Sequence, residues 1–229
     1  MGIGCHSISG FINPDTITNF TQMGGEGAFW IGRAPFSERS HSFQNMGDGT
    51  YAHSGYLGVR AAVAAGVNIT FKMLVNDAVA MTGGQSAQGG SSPFSMTEQL
   101  LAEGVKKVVI VSDQPDQIRK SARWPATVDF FHRDKILKVQ DELSQTKGVS
   151  ALLHVQTCAT ELRRRRKRKT IPQRAERVYI NAAVCEGCGD CAKSSNCVAL
   201  KPKFDGEAYK RVIDHSVCND DYSLSLIHI

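Results

Sequence analysis

No run of about twenty apolar residues occurs in this 229-residue chain, so no membrane-spanning helix is expected. The amino end, Met1-Gly2-Ile3-Gly4-Cys5-His6, lacks the basic region and apolar stretch of a secretory leader. It also lacks the Ser or Thr that a myristoylation start needs at position six, where His6 stands. Without a secretory signal, the seven cysteines read as metal ligands rather than a disulfide framework, and the expected compartment is the reducing cytoplasm. No second Cys-x2-Cys hook is present to build the usual zinc site. No aromatic platform or helix-turn-helix pattern accompanies the one strongly basic stretch.

That stretch, Arg163 to Lys169, is seven consecutive positive residues; without it the formal charge of +5 becomes about −2, so the basicity is local. It reads as a solvated connector, as a nucleic-acid contact through phosphate, or as a surface meeting an acidic neighbouring domain or partner.

Apolar content suffices for a real core, and the length for one large or two small domains. Strand-like runs alternate with helix-like ones, which implies an α/β fold with a mostly parallel sheet and flanking helices. Residues 1–40 read as glycine-rich loops. The expected strands are 41–46, 67–75, 107–112, 128–131 and 150–155. The expected helices are 51–65, stopped by Gly66, one opened by a Ser95-x-x-Glu98 capping box, and amphipathic 134–146 with Ile136, Leu137, Val139 and Leu143 inward. The domain reading is an α/β domain over 1–160, a basic linker over 161–177 with Pro172 closing the basic segment, and a small Cys-rich module over 178–229 that begins with a short strand at 177–181.

Gly47-Asp48-Gly49-Thr50 follows the first expected strand, and Asn76 follows the second. Both then lie at carboxyl ends of parallel strands, where such sheets bind ligands. A hard Mg²⁺ ion takes oxygen ligands from one or two protein groups and from substrate phosphates. Asp48 supplies charge, Asn76 a neutral oxygen, and Gly47 and Gly49 leave backbone N–H groups open to a diphosphate. Downstream, Cys185-x2-Cys188-x2-Cys191 places three thiolates on a tight glycine-containing loop, which suits three corners of a [4Fe–4S] cluster, with zinc as the alternative. Five residues separate Cys191 from Cys197, and Val198 stands where a bacterial ferredoxin-type module has proline.

The Gly47–Gly55 and Asn76–Gln85 segments together resemble indolepyruvate ferredoxin oxidoreductase of the fused bacterial type. The resemblance runs over nearly all of residues 2–223. It implies a thiamine diphosphate (TPP) enzyme that decarboxylates indolepyruvate or related arylpyruvates, passes electrons through iron–sulfur clusters to ferredoxin, and yields an acyl-CoA. It implies cofactor contacts at Gly4, Cys5, Gly47, Asp48, Gly49, Thr50, Asn76 and Ala78, with Mg²⁺ on Asp48, Asn76 and the Ala78 carbonyl. It implies iron–sulfur ligation by Cys185, Cys188, Cys191, Cys197 and Cys218. Cys5 also reads as a small buried residue. Implied partners are the remaining domains of the enzyme, ferredoxin, coenzyme A and the 2-oxoacid. The glutamate that activates the cofactor comes from a separate domain in this family, and Glu26 cannot be assigned that role from its setting. The strand that precedes Gly2 in the family is missing here. The tail Leu224-Ser225-Leu226-Ile227-His228-Ile229 resembles translated adapter sequence. The expectation for these residues alone is weak Mg-TPP binding without turnover. The alternatives are a ferredoxin-like electron carrier with a degenerate α/β domain, and a nucleic-acid-binding protein using the basic run.

Overall fold

Runs rich in Val, Ile and Phe, bounded by glycine and polar turns, favour strands joined by helices, and the computed structural model follows that alternation. It describes residues 1–220 apart from 13, 18, 77, 87, 88, 91 and 196. Two units emerge, Met1–Cys158 and the remainder from Ala159 onward.

The first unit begins with short helical turns, including α1 (Ser9–Ile12), and then α2 (Ala28–Arg33). Strand β1 (Ser42–Gly47) passes directly into a helical run made of α3 (Asp48–Thr50), a π-helical turn (Tyr51–Gly55) and α4 (Tyr56–Ala65). Then follow β2 (Ile69–Val75), α5 (Pro93–Ala102), β3 (Lys107–Ser112), α6 (Pro115–Lys120), β4 (Asp129–His132), α7 (Ile136–Ser144) and β5 (Val149–Val155). The five strands form one sheet in the order β1-β2-β5-β3-β4, and every neighbouring pair is parallel.

Parallel strands need crossovers that cover both faces of the sheet. On one face Ile69, Phe71, Met73, Val108, Ile110, Ala151 and Leu153 pack with Trp30, Val59, Ala62, Met96 and Leu100 of α2, α4 and α5. On the other, Val109, Val111 and Leu152 pack with Val139 and Leu143 of α7. Side chains one residue apart in a strand point to opposite faces, which is why β3 feeds both clusters. Each fully buried Phe, Ile, Leu or Met contributes roughly 1.5–3 kcal/mol relative to exposure. Gly66 closes α4 in the left-handed conformation, φ +66°, where the sequence places a stop.

The second unit holds α8 (Ala159–Lys167), α9 (Asp190–Ser195) and an antiparallel hairpin of β6 (Leu200–Phe204) and β7 (Tyr209–Ile213). Among the described residues beyond Cys158, Ala199 is the one buried apolar side chain. No helix among the described residues is long and apolar enough to cross a membrane.

The structure departs from the sequence expectations at identifiable places. The amino-terminal forty residues carry helical turns and α2 rather than loops alone. Helix α5 starts at Pro93, with Ser92 as its cap accepting the Ser95 N–H at 3.1 Å; Ser95 lies inside the helix. Proline at the first helical position has no N–H to satisfy, so the Ser-Pro pair outcompetes the later Ser-x-x-Glu pattern. Leu137 is 73% exposed, while Val139 and Leu143 alone of the expected apolar set are fully covered. Residues 177–181 form no strand. The basic run expected as a connector is largely helix α8, with Arg166 buried. The tail from 221 lies outside the described residues.

Candidate functional site

Parallel pairing puts Gly47 beside Leu74, so the chain leaves β1 and β2 at the same level of the sheet. Asp48 and Asn76 are the residues that follow. The Asp48 carboxylate accepts the Gly49 N–H through Oδ1 at 2.8 Å and the Asn76 N–H through Oδ2 at 2.9 Å. One side chain thus ties the two strand ends together. Asn76 Oδ1 in turn accepts the Ala78 N–H at 3.2 Å. Asp48 also opens the helical run 48–65, where a negative charge complements the partial positive charge of the helix start.

The glycines leave the backbone bare. A Cβ on Gly47 would meet nothing within 4 Å, and one on Gly49 would meet only Val79 Cγ2 at 3.8 Å. The loop carrying Val79 closes by an antiparallel bridge to Gln85, with Val79 N–H bonded to Gln85 O at 2.8 Å. An open backbone ledge, an acidic oxygen pair and an amide oxygen at two strand ends fit a magnesium diphosphate by donor chemistry. Thr50 and Ala78 are both buried. Asp77 lies outside the described residues.

The amino-terminal segment comes alongside β1 through the Gly2 N–H, which bonds Asn45 O at 3.3 Å, three residues before Asp48. Gly4 leads into a 3-10 turn that begins with Cys5. Cys5 is exposed, which removes the reading of a small buried residue. His6 is half-buried, and burial lowers its pKa, with the charge of Lys72 pushing the same way. Lys72 of β2 donates to Gln140 Oε1 at 3.0 Å, and burial lowers its pKa also.

Glu26 has no role in the sequence reading, and its setting is unusual. Its side chain is fully buried. Oε2 accepts the Gly24 N–H at 2.7 Å, while Oε1 has no hydrogen-bond partner. Burial raises its pKa. A Cβ on Gly2 would stand 2.5 Å from Oε1, so glycine there makes room for the carboxyl. The glycines flanking Glu26 are the only local signal in the sequence, and they also describe any loop.

In the second unit, the Cys185–Cys191 loop lies on β7. Cys185 Sγ accepts the Arg211 N–H at 3.3 Å, and Lys210 Nζ donates to Cys185 O at 2.8 Å. Gly187 has φ +75°, and a Cβ there would run into the Tyr209 carbonyl. Cys191 rides on α9, and the Cys197 N–H bonds Ser195 Oγ at 3.1 Å. Cys218 Sγ accepts the Asp220 N–H at 3.5 Å, and burial raises the thiol pKa. All seven cysteines are free. Among the described residues no three His, Cys, Asp or Glu side chains are gathered closely enough to hold a metal ion. Thiolate is the ligand type an iron–sulfur cluster takes, and amide N–H groups are aimed at two of the five sulfurs, those of Cys185 and Cys218.

Residues 2–123 match the family model of the thiamine pyrophosphate enzymes, C-terminal TPP binding domain. The chain belongs to that family. The TPP-binding match takes in β1, β2 and every residue of the Asp48–Ala78 arrangement. Indolepyruvate oxidoreductase subunit IorA of Pyrococcus horikoshii is 24% identical over 234 residues, covering 94% of this chain and 33% of that protein. The IorA subunit of Thermococcus kodakarensis is 24% identical over the same length and coverage. The chain therefore spans about a third of the length of these curated relatives. A solved 2-oxoglutarate:ferredoxin oxidoreductase from Magnetococcus marinus aligns over 69% of this chain and 53% of its own, at 17% identity and a TM-score of 0.49.

Proposed function

We propose that this chain is the TPP-binding and electron-relay portion of an indolepyruvate ferredoxin oxidoreductase that works in the cytoplasm. The observation that carries the reading is the Asp48 carboxylate, which joins the ends of β1 and β2 beside the Asn76 side chain and the open glycine backbone. The name of the IorA relatives, indolepyruvate oxidoreductase subunit, supports indolepyruvate as the substrate. The cysteines of the second unit favour a redox outcome over non-redox decarboxylation.

In this reading Asp48, Asn76 and the Ala78 carbonyl hold Mg²⁺, and Gly4, Cys5, Gly47, Gly49 and Thr50 line the cofactor's bed. Bound TPP supplies an electron sink for the carbon that loses CO₂. The chain's own residues would bind the diphosphate and hold it at the strand ends. Cys185, Cys188, Cys191, Cys197 and Cys218 would supply thiolates to [4Fe–4S] iron, and such a cluster would supply one-electron transfer toward ferredoxin. Coenzyme A, ferredoxin and the remaining domains of the enzyme are the partners in this reading.

The test is calorimetry with TPP and Mg²⁺ on the chain, followed by anaerobic reconstitution with iron and sulfide and metal analysis on the same sample. Mg²⁺-dependent TPP binding that Asp48→Ala abolishes is the expected result. Binding that survives Asp48→Ala unchanged would show the site assignment wrong. A cluster without any TPP affinity would instead favour a ferredoxin-like carrier.

A further inference from the structure

The basic run is the feature that neither the cofactor site nor the cysteine loop uses. In the structure four of its arginines are engaged inside the second unit, by two carboxylates and two backbone carbonyls. Arg164 and Arg165 face Glu161, at 3.5 and 3.3 Å, and Glu161 is itself buried. Arg163 and Arg166 turn the other way. They are three residues apart on α8 and so share a side of the helix. Arg163 Nη1 donates to Val217 O at 2.8 Å, and Arg166 Nη1 donates to Asn219 O at 2.7 Å. Arg166 is 5% exposed and also pairs with Asp220 at 3.7 Å.

Val217 and Asn219 are the two neighbours of Cys218. We propose that α8 is an internal brace in which Arg163 and Arg166 act as positioning residues for Cys218, gripping the carbonyls on either side of it. Three further observations fit this role. Around Cys218 the other bonds among the described residues are local, from the Val217 and Cys218 N–H groups to Asp214 O and from the Asp220 N–H to Cys218 Sγ. The helix end is itself fixed, with Lys169 in the left-handed conformation at φ +61° and Gln173 Nε2 donating to Arg166 O at 2.8 Å. A guanidinium is always charged and carries five donors in a fixed fork, so it can serve a carbonyl and a carboxylate at once, which a lysine cannot do with the same geometry.

Lys167, Arg168 and Lys169 are the exposed residues of the basic run, while the brace turns Arg163 and Arg166 onto the chain's own carbonyls. The brace acts on the backbone either side of Cys218 and not on what the thiol ligates, and iron analysis on the same sample separates the two questions.

The test uses the whole chain after anaerobic reconstitution, with iodoacetamide alkylation of each cysteine followed by peptide mass spectrometry. Arg163→Gln and Arg166→Gln should each speed modification of Cys218 about tenfold, since a hydrogen bond from a charged donor contributes on the order of one such factor. Cys185 and Cys188 should be unaffected. Lys167→Gln and Arg168→Gln remove the same charge without a carbonyl bond and should leave Cys218 at its original rate. An unchanged rate at Cys218, or an equal rise in the two control variants, overturns the brace. If the arginine variants fail to fold, hydrogen exchange of the unsubstituted chain decides. Protection of the Val217 and Cys218 amides that rises and falls with that of α8 supports the proposal, and free exchange at 217–218 beneath a protected α8 overturns it.

Discussion

Asp48 and Glu26 are both acidic residues placed among glycines, yet only one of them is legible in the sequence. Asp48 follows a strand and is answered by Asn76 after the next strand, so spacing alone brings the two together. Glu26 is brought under Gly2 by tertiary packing, and no periodicity marks that. Burial raises the Glu26 pKa, so the folded state holds its proton more tightly than the unfolded chain. The contribution of this group to stability is then fully present below the unfolded value, about 4.3, and is lost as pH rises through the higher folded value. Above that window both states are ionised and the buried charge is a net cost. Glu26→Gln should therefore be more stable than the parent at neutral pH and equal to it near pH 4, as read by urea midpoints at the two pH values. A neutral-pH midpoint below the parent's would show that the ionised carboxylate has a favourable partner in the native state.

At the scale of elements, strand positions were readable because Val, Ile and Phe mark them directly, and β3 falls on the expected residues. Helix starts were less so. The Ser92 cap and the helical run that begins at Asp48 depend on backbone geometry beyond the local pattern. The same helical run contains a π-helical turn, Tyr51–Gly55, which no composition signal marks. Its continuation α4 is pressed against the Glu26 loop at Gly58, where a Cβ would run into the Glu26 carbonyl oxygen. Alanine is the better helix former by about 1 kcal/mol. The obstacle here is backbone rather than a flexible side-chain end, so overpacking outweighs that gain. Gly58→Ala should lower stability by about 1–3 kcal/mol in urea unfolding. A stabilised variant would mean that the loop yields and that Gly58 is not its support.

For the whole molecule, the two units rest on different physics. Both apolar clusters lie in Met1–Cys158, and so does the entire Asp48–Ala78 arrangement. Beyond Cys158 Ala199 is the one buried apolar side chain among the described residues, and the hairpin strand β6 is almost wholly exposed. Lys201, Pro202 and Lys203 give the hairpin no alternating apolar pattern, so nothing in the sequence marks it. A unit of this size without a core needs staples. Its five cysteines are free, so disulfides do not supply them. The proposed iron–sulfur ligation would be such a staple, since metal-binding free energy becomes folding free energy. The two ligands should then act on separate units. Mg-TPP at a hundredfold excess over its dissociation constant should stabilise the first unit by about 2.7 kcal/mol and leave the second unchanged. Removing iron from the reconstituted chain with a chelator should abolish amide protection across 185–218 while the first unit keeps its urea midpoint. Hydrogen exchange resolved by peptide reads both effects in one sample. Retained protection at 185–218 in the iron-free chain would mean that the brace from α8 and the hairpin bonds are enough to fold the unit without metal.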